Sequence, residues 1–284
     1  MKDFMNSLDQ TLLRKLNEIS DTLSKNCRLN ALILIEKLLE GHRYQSNKRL
    51  ERYGFKSYSQ SDEDGILQEI FRRIGIEHHA FVEFGVGNGL ENNTTYLLYQ
   101  KWHGLWIEGS TDFCQSIRSK FKIPIDSGQL KLVNQFVSCE NIDRLICECG
   151  FGREIDLLSI DLDGNDYHVW QTISSVSPRV VTIEYNGKFR PPVEYVMKYN
   201  PVHQWDGTDQ FGASLKSLEL LGQAKGYCLV GCNLTGVNAF FVRQDLCGDH
   251  FYSPATSEDL YNPPRYDLVA AYAHLGGHAA NFPQ

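Results

Sequence analysis

The sequence predicts an α/β fold in which a seven-stranded, mostly parallel sheet follows a helical N-terminal segment. From residue 60 onward, short apolar runs rich in β-branched residues alternate with helical or polar stretches. This alternation is typical of a parallel sheet that is covered by helices on both faces. The last two runs are separated by only a few residues around "LTG", which permits an antiparallel hairpin but no helical crossover. We therefore expect five parallel strands followed by a hairpin.

The predicted elements divide the chain into three parts. Residues 1–57 form a helical N-terminal segment, residues 58–245 the ligand-binding domain and residues 246–284 a C-terminal extension. In the first part, leucine and isoleucine recur at helical spacing, and Gly41 is expected to end a helix. Helices of this kind could pack on the core, which is the default expectation, cover a cleft or pair two subunits. In the second part, the predicted strands are 80–84, 104–108, 130–137, 156–161, 179–185, 227–233 and 238–243.

Composition and charge narrow the class of function. With 284 residues, 42% of them hydrophobic and 22% charged, the chain resembles an ordinary globular protein with one large core. The formal net charge of −7 disfavours nucleic acid as the partner, because phosphate binding needs clustered Lys and Arg. The sequence shows neither a membrane span nor a signal peptide, so we expect a cytoplasmic protein. The eight cysteines are scattered, and we expect free thiols.

A glycine loop, "GVGNGL", follows the first predicted strand. Gly85, Gly87 and Gly89 would let the loop bend tightly and let a ligand approach the main chain closely. The dinucleotide-binding fingerprint requires a further glycine where this chain has Leu90. An NAD enzyme is therefore disfavoured, while a tight structural turn in another Rossmann-like fold stays an open alternative.

Two acidic residues stand beside this loop at the ends of the first two strands. Glu83 precedes the glycines in "VEFGVGNG", and Glu108 ends the second strand in "WIEGS". Together with the terminal hairpin, they resemble motif I and the acidic motif II of class I S-adenosylmethionine-dependent methyltransferases. The resemblance implies that S-adenosylmethionine is the cofactor, that Glu83 orients its methionine portion and that Glu108 binds its ribose. Ser138 and Asp161, after the third and fourth strands, are further expected contacts of the cofactor.

The stretch "YSQSDEDGIL" at 58–67 resembles the SQxxEDG segment that precedes motif I in FkbM-like methyltransferases. That family implies O-methyl transfer to a hydroxyl of a sugar, glycan or related small molecule, in bacterial surface-polysaccharide or secondary-metabolite biosynthesis. Glu63 and Asp64 in this stretch are either ligand contacts or charges in the first turn of a helix. The alternative function is a non-catalytic scaffold or binding protein that keeps the S-adenosylmethionine fold in a biosynthetic assembly.

A second acidic cluster follows the fourth and fifth strands. Asp161 and Asp163 in "SIDLDGND", with Glu184 and Asn186 in "IEYN", are expected at the edge of the sheet where ligands bind. Their oxygens suit Mg²⁺ or another divalent cation, and the layout resembles metal-dependent O-methyltransferases of the catechol and macrocin types. Hydrogen bonding without a metal remains equally open. Asp161 and His168 are the catalytic candidates, with His168 either a general base or simply packed.

A long aromatic and polar segment, residues 187–212, separates the fifth strand from a predicted helix at 213–226. Long loops at the ligand-binding edge tend to be lids or binding walls, although a surface excursion without ligand contact stays open. The residues expected to contact a polyhydroxylated substrate are Tyr199, His203, Trp205, Asp206, Thr208 and Asp209. Further on, "NPPR" at 262–265 is similar to the NPPY motif of amino-group methyltransferases. It stands after the whole core, so we expect a turn there.

Overall fold

The structure is a computed structural model that describes the backbone of residues 2–272 and the side chains of residues 10–272. Its centre is a seven-stranded sheet with the order β3-β2-β1-β4-β5-β7-β6. β1 to β5 run parallel, whereas β7 is antiparallel to both β5 and β6. The predicted fold, a Rossmann-like class I methyltransferase sheet with a final antiparallel hairpin, is therefore confirmed. The strands are β1 Ala80–Phe84, β2 His103–Glu108, β3 Leu130–Asn134, β4 Glu154–Ile160, β5 Ser177–Glu184, β6 Tyr227–Cys232 and β7 Asn238–Arg243.

Helices cover both faces of this sheet. α2 Glu63–Ile74, α3 Thr95–Tyr99, α4 Thr111–Lys120 and α5 Lys122–Asp126 lie on one face, around buried Trp106. α6 Ile142–Glu148, α7 Asp166–Thr172 and α8 Leu215–Ala224 lie on the other, around buried Trp170. The two layers bury the apolar side chains that the parallel strands present on both faces, which is why these strands read as continuous apolar runs. The remaining helices are α1 Lys2–Glu40, α9 Gln244–Cys247, α10 Ser257–Leu260 and three 3₁₀ helices at His42–Tyr44, Glu51–Tyr53 and Tyr266–Tyr272.

The strand ends differ from the prediction at two places that matter for the site. β3 ends at Asn134 rather than at residue 137, because residues 135–137 leave the sheet and line a cleft. β4 ends at Ile160, so Asp161 is the first residue of the loop that follows. The carboxyl ends of β1, β2, β4 and β5 thus meet at one edge of the sheet, as expected for an open α/β fold.

The N-terminal segment begins with one long helix, α1, which ends just before Gly41 as predicted, and continues through the 3₁₀ helices His42–Tyr44 and Glu51–Tyr53. Only the last turns of α1 pack on the body of the protein. Ala31 is buried, and Ile35 and Leu38 pack with it against Leu268 of the C-terminal 3₁₀ helix Tyr266–Tyr272. The default expectation of core packing is therefore wrong for the earlier turns, in which Leu12 is 57% exposed.

The "SQSDEDG" stretch is an anchor between α2 and the β6–β7 turn. Glu63 is fully buried and accepts hydrogen bonds from Asn233 Nδ2 at 2.8 Å and Asn238 Nδ2 at 3.0 Å. Asp64 Oδ2 accepts three backbone N–H bonds from residues 57–59, while burial raises the pKa of its carboxyl to about 6. Of the two interpretations open from the sequence, the structure favours the structural one.

Two further expectations concern the end of the chain and the thiols. The "NPPR" stretch is an irregular segment rather than the expected turn; Asn262 is fully buried, and Arg265 N donates to Thr235 O at 2.7 Å. All eight cysteines are free, as predicted. Across residues 2–272, no helix combines the length and the apolar character that crossing a membrane requires.

Candidate functional site

The three glycines of the loop after β1 meet different physical needs. Gly85 has φ +76°, and a Cβ atom there would lie 1.5 Å from Asp161 O, so this glycine permits the β1 and β4 loops to touch. At Gly89, φ +78°, a Cβ atom would meet the ring of Phe121 at 2.8 Å. Gly87, with φ +54°, has no atom within 4 Å of the position of an added Cβ atom. Gly87 is therefore the glycine that leaves open space above the loop.

Glu108 is turned toward this open space. Its Oε2 accepts a hydrogen bond from Gly87 N at 2.8 Å, and its Oε1 accepts one from Ser110 N at 2.7 Å. Each carboxylate oxygen has two acceptor sites, so each keeps one for a ligand. The same side chain thus fixes the loop geometry and stays able to accept hydrogen bonds from hydroxyl groups.

Glu83 is used differently from what the sequence suggests. Its Oε1 accepts hydrogen bonds from Asn93 N and Ser159 Oγ, both at 2.9 Å. Its Oε2 accepts from Asn92 Nδ2 at 2.8 Å and from both the amide and the hydroxyl of Thr94. These five donors saturate a carboxylate that has about four acceptor sites. Glu83 therefore holds the segment after the glycine loop in place. It also lines the glycine-loop pocket, so its contact with the cofactor stays a prediction.

Three adjoining spaces open at this edge of the sheet. The first, which we call the β2 cleft, has a volume of ≈ 310 Å³ and lies between the ends of β1, β2 and β4. The second, the glycine-loop pocket of ≈ 280 Å³, shares Gly85, Gly87, Phe113 and Asp161 with it. The third, the β5 cavity of ≈ 550 Å³, shares Asp163 and Trp205 with the β2 cleft. The residues that line the β5 cavity are Gln60, Asp163, Glu184, Lys188, Trp205, Gly207, Thr208, Asp209, Phe211, Val237, Tyr266 and Val269.

Three carboxylates meet where these spaces join. One carboxylate oxygen each of Asp161, Asp163 and Glu184 lies within 4.8 Å of the other two. Within the part of the chain that the structure describes, no hydrogen bond or ion pair reaches any of the three carboxylate groups. Asp163 in addition has φ +52°, a conformation that L-residues other than Asn and Asp rarely adopt. Among the described residues, the cluster thus has no hydrogen-bond or ion-pair partner, although the nearby His203 favours the charged form of Asp163.

The pKa values of Asp161 and Glu184 reflect the unfavourable energy of burying these negative charges and placing them close together. Burial, and then the negative charges of Asp166 and Asp163, raise the pKa of Asp161 well above its usual range. Asp161 is exposed to solvent, but it lines the β2 cleft and the glycine-loop pocket, so the burial acting on its carboxyl comes from the protein that surrounds these spaces. Burial and the charge of Asp161 likewise raise the pKa of Glu184 well above its usual range. The group is therefore stabilised by protons, or by a cation that binds between the oxygens.

Asn186, the fourth residue of the expected metal set, holds the long segment against β5. Its Nδ2 donates to Asp209 O at 2.9 Å and Phe211 O at 3.0 Å. Its Oδ1 accepts from Lys188 N at 3.2 Å and keeps a second acceptor site. A contact of Asn186 with a metal therefore stays a prediction.

His168 also lies apart from the cavities. Its Nε2 is 2.8 Å from Met197 O, and a carbonyl only accepts, so this nitrogen carries the proton. The ring packs edge-on against Tyr199, with 5.4 Å between the ring centroids. His168 therefore supports the long segment rather than facing a ligand. Ser138 is likewise absent from the lining residues, and its amide donates to Asn141 Oδ1 at the start of α6.

The long segment 187–212 closes over the site with part of the predicted residues. Trp205 is 58% exposed and lines both the β2 cleft and the β5 cavity. His203 lines the β2 cleft, where its Nε2 lies 3.2 Å from Asp163 O. Thr208 and Asp209 line the β5 cavity. Four of the six expected substrate contacts are thus brought to the site.

The other two residues of that set lie elsewhere. Tyr199 donates its hydroxyl to Glu140 Oε2 at 2.7 Å, which ties the segment to the loop after β3. Asp206 accepts two hydrogen bonds from Thr208 within its own turn. Both residues also line a further pocket of ≈ 550 Å³ along this segment, together with His203, so direct substrate contact stays a prediction for both.

Several lining residues carried no recognised signal in the sequence. Phe136, 66% exposed, packs its ring over Gly109, where a Cβ atom would come within 2.3 Å, and forms a wall of the β2 cleft. Tyr266 and Val269 come from the C-terminal 3₁₀ helix, and their spacing of three residues places them on one face of such a helix. A search for i, i+3 pairs of apolar or aromatic residues in the C-terminal extension could have found them.

Comparison with known proteins gives similar folds only. No family model and no curated protein matches the chain. A candidate caffeoyl-CoA O-methyltransferase from Staphylococcus aureus is 13% identical over 74% of this chain and 99% of that one, with a TM-score of 0.44. A S-adenosylmethionine-dependent methyltransferase from Clostridium acetobutylicum is 11% identical over 62% and 88%, with a TM-score of 0.37. The glycopeptide N-methyltransferase MtfA, complexed with S-adenosyl-L-homocysteine, is 14% identical over 62% and 86%, with a TM-score of 0.38. The assignment of the fold rests on the strand order and not on these distant likenesses.

Proposed function

We propose that the protein is a S-adenosylmethionine-dependent O-methyltransferase whose acceptor is a hydroxyl of a sugar, glycan or related small molecule. The observation that carries this proposal is the position of the three unpartnered carboxylates. Asp161 lines the β2 cleft and the glycine-loop pocket, Asp163 lines the β2 cleft and the β5 cavity, and Glu184 lines the β5 cavity. A donor on one side and an acceptor on the other would therefore meet at these groups.

The β2 cleft and the glycine-loop pocket form the donor half. Glu108 keeps free acceptor sites for the ribose hydroxyls, Gly87 leaves room beside the main chain, and Phe113 and Phe136 supply apolar walls for an adenine ring. When bound, S-adenosylmethionine would supply an electrophilic methyl group. The role of the protein is to hold donor and acceptor in contact, since orientation supplies a large part of such a rate enhancement.

The β5 cavity forms the acceptor half. Its aromatic side chains Trp205 and Tyr266 are 58% and 59% exposed, although large aromatic surfaces are usually buried. Exposed rings can stack on the apolar faces of sugar rings, while Glu184 and Asp209 can accept hydrogen bonds from hydroxyl groups. This mixture of flat apolar surface and acceptor oxygens supports a polyhydroxylated acceptor. The "SQSDEDG" resemblance supports bacterial surface-polysaccharide or secondary-metabolite biosynthesis as the setting.

The chemistry of the three carboxylates fits a divalent cation. Asp161, Asp163 and Glu184 offer hard oxygen ligands within 4.8 Å of one another, which is the donor type that Mg²⁺ takes. When bound, such a cation would lower the pKa of an acceptor hydroxyl. Without it, Asp163 or Glu184 accepts the hydroxyl proton, because both face the β5 cavity.

The donor assignment is tested by isothermal titration with S-adenosylhomocysteine. We expect the wild-type protein to bind and Glu108→Ala to lose most of the affinity, because the ribose hydroxyls lose their acceptor. Glu148→Ala is the matched control, since Glu148 is an exposed glutamate on α6 away from the cavities. Failure of the folded wild-type protein to bind would contradict the proposal.

The catalytic assignment needs a second measurement. Incubation with S-adenosylmethionine that carries a deuterated methyl group, followed by mass spectrometry, detects methyl transfer to a panel of nucleotide sugars and oligosaccharides. Transfer that depends on Glu184 is the expected result. Donor binding without transfer to any member of the panel would instead favour a non-catalytic protein that keeps the fold.

A further inference from the structure

The surface of α1 carries an apolar stripe that no other part of the described chain, up to residue 272, covers. Leu12, Leu16, Ile19, Leu23 and Ile33 are 57%, 52%, 56%, 58% and 49% exposed. Leu12, Leu16, Ile19 and Leu23 are separated by four, three and four residues. Continuing this alternating spacing along α1 gives positions 26, 30 and 33. Seven consecutive positions thus follow the heptad spacing of a two-stranded coiled coil. Exposed apolar surface of this extent marks an interaction site.

This stripe is distinct from the face by which α1 packs on the body. Ala31, Ile35 and Leu38 make that contact, and at 3.6 residues per turn they lie about 100° around the helix axis from the stripe. Ile33 and Leu34 remain 49% and 45% exposed next to the packed turns. The stripe is therefore accessible up to the point where α1 meets the body.

Two asparagines occupy the remaining heptad positions of the stripe, and they indicate which molecule covers it. Asn26 and Asn30 are exposed, and an apolar partner would bury their amides without hydrogen-bond partners. In a parallel, in-register pair of identical helices, each asparagine lies opposite its own copy, and the two amides can bond to each other. An antiparallel pair that overlaps the whole stripe places Asn26 level with Ile19. The asparagines thus match only when a second α1 lies parallel to the first.

The charge of α1 disfavours a membrane surface as the occupant. The helix contains six basic and six acidic residues, whereas helices that lie on anionic membranes carry an excess of Lys and Arg on the polar face. Glu18 and Lys25, for example, lie on the side away from the stripe. Nothing in this pattern attracts a charged lipid surface.

We propose that α1 pairs with the α1 of a second copy of this chain, as a parallel, in-register coiled coil over residues 12–33. The apolar stripe forms the seam, and Asn26 and Asn30 set its register. The two bodies then lie side by side at the C-terminal end of the pair. This inference does not depend on the proposed activity.

The mass of the full-length protein in solution, measured by light scattering after size-exclusion chromatography, tests the pairing. We expect twice the 32.4 kDa of one chain. Leu23→Glu should give the single-chain mass, with the dissociation constant raised at least ~100-fold by a charge in the seam. Leu29→Glu is the matched control, because Leu29 is 57% exposed against 58% for Leu23 but flanks the seam at a g position, where coiled coils commonly carry charged residues. This control should keep the doubled mass.

The orientation is tested by a cysteine in the seam. In a Cys27→Ser background, Asn30→Cys should form a disulfide-linked dimer under mild oxidation, whereas the Cys27→Ser parent should not. An antiparallel pair that overlaps the stripe places residue 30 level with Lys15 and gives no such link. The proposal is overturned by a single-chain mass of the wild type at ~100 µM, by a mass of three or four chains, by equal effects of Leu23→Glu and Leu29→Glu, or by absence of the cross-link.

Discussion

The donor and acceptor halves of the site differ in how the chain builds them. The donor half is centred on one local stretch, the glycine loop with Glu108 at the end of the next strand, and residues that follow β3 and β4 complete its lining together with part of the long segment. The acceptor half is assembled from segments that are far apart in the sequence, from Gln60 to Val269. A local motif therefore reveals the first half, whereas the second depends on how β5, the long segment and the C-terminal 3₁₀ helix pack together.

The two halves also differ in how their carboxylates are satisfied. Glu83 and Glu108 accept hydrogen bonds from backbone and side-chain donors of the loop that they support. Glu184 in the acceptor half and Asp161, which lies in the donor half where it meets the acceptor half, have no such partners among the described residues, and their pKa values are raised well above the usual range. The carboxylates of Glu83 and Glu108 thus gain their hydrogen-bond partners when the protein folds. The cluster that contains Glu184 instead remains electrostatically unfavourable in the folded protein until a cation or substrate binds.

The largest expected effect is on protein stability, and it distinguishes Gly85, which has a structural role, from Gly87, which faces the ligand. Gly85→Ala should destabilise the protein by more than ~3 kcal/mol, because its Cβ atom would overlap Asp161 O. Gly87→Ala should cost only about 1 kcal/mol for its positive φ but should weaken binding of S-adenosylhomocysteine. Urea unfolding and isothermal titration measure the two quantities. Equal stability losses in both variants would contradict the assignment.

The next effect concerns turnover in the acceptor half. Glu184→Gln should lower kcat by ~10²–10³-fold, because the variant loses one charge of the cluster at the acceptor oxygen. The dissociation constant of S-adenosylhomocysteine should stay within about twofold of wild type, since Glu184 does not line the donor half. Titration and methyl-transfer rates on the same preparations give both numbers. A parallel loss of donor affinity would show that the two halves are not separate.

A substitution of Glu108 should affect the donor half rather than the acceptor half. Glu108→Gln should raise the dissociation constant of S-adenosylhomocysteine by ~10–100-fold, or about 1.4–2.7 kcal/mol, because a charged acceptor for the ribose is lost. At saturating donor, kcat should change much less than in Glu184→Gln. An unchanged dissociation constant would remove Glu108 from the donor site.

The pH dependence of stability distinguishes the two halves without any substrate. Burial and the neighbouring Asp161 raise the folded-state pKa of Glu184, so the folded protein holds this proton more strongly than the unfolded chain. The stabilisation is therefore complete below the unfolded pKa and is lost as the pH rises through the folded pKa. Glu184→Gln should accordingly melt higher than wild type at pH 8, by about 2–4 °C per kcal/mol, with the difference shrinking toward pH 4.

The same melting measurement, repeated with added Mg²⁺, tests whether the carboxylates bind a metal. Added MgCl₂ should raise the Tm of the wild type at pH 8 and leave that of Glu184→Gln and Asp161→Asn nearly unchanged. Equal shifts in all three proteins would point to a general salt effect. Full methyl-transfer activity after dialysis against EDTA would also reject the metal and leave the carboxylates as hydrogen-bond acceptors.

The fold could be predicted from the sequence almost completely, because it depends on local signals. Apolar runs located the strands, and the short connection before Asn238 located the hairpin. The predicted end of β3 at residue 137 was wrong, because Phe136 lines a cleft and is not part of the strand. An apolar residue at the edge of a sheet has the same sequence signature in either place.

The site could be predicted only in part, for a different reason. The positions of Glu108, Asp161 and Glu184 at strand ends follow from the strand order alone. The uses of Glu83, Asn186 and His168 do not, because each depends on which donors and acceptors the neighbouring loops bring near. Residue type and spacing indicate where a side chain lies, but its hydrogen-bond partners decide whether it is free for a ligand.

The smallest effect tests Tyr266, the polar residue of the acceptor half that lies farthest from the glycine loop in the sequence. Burial and the charge of Glu184 raise the pKa of its phenol, so Tyr266 stays protonated and can donate a hydrogen bond to a hydroxyl acceptor. Removing one such bond costs about 0.5–1.5 kcal/mol. For the acceptor found by mass spectrometry, Tyr266→Phe should therefore raise KM by about 3–10-fold, with unchanged affinity for S-adenosylhomocysteine. Tyr252→Phe is the control, because Tyr252 is half-buried and does not line the β5 cavity. If both variants match the wild type, Tyr266 acts only as a wall, and acceptor binding depends on Glu184 and the long segment.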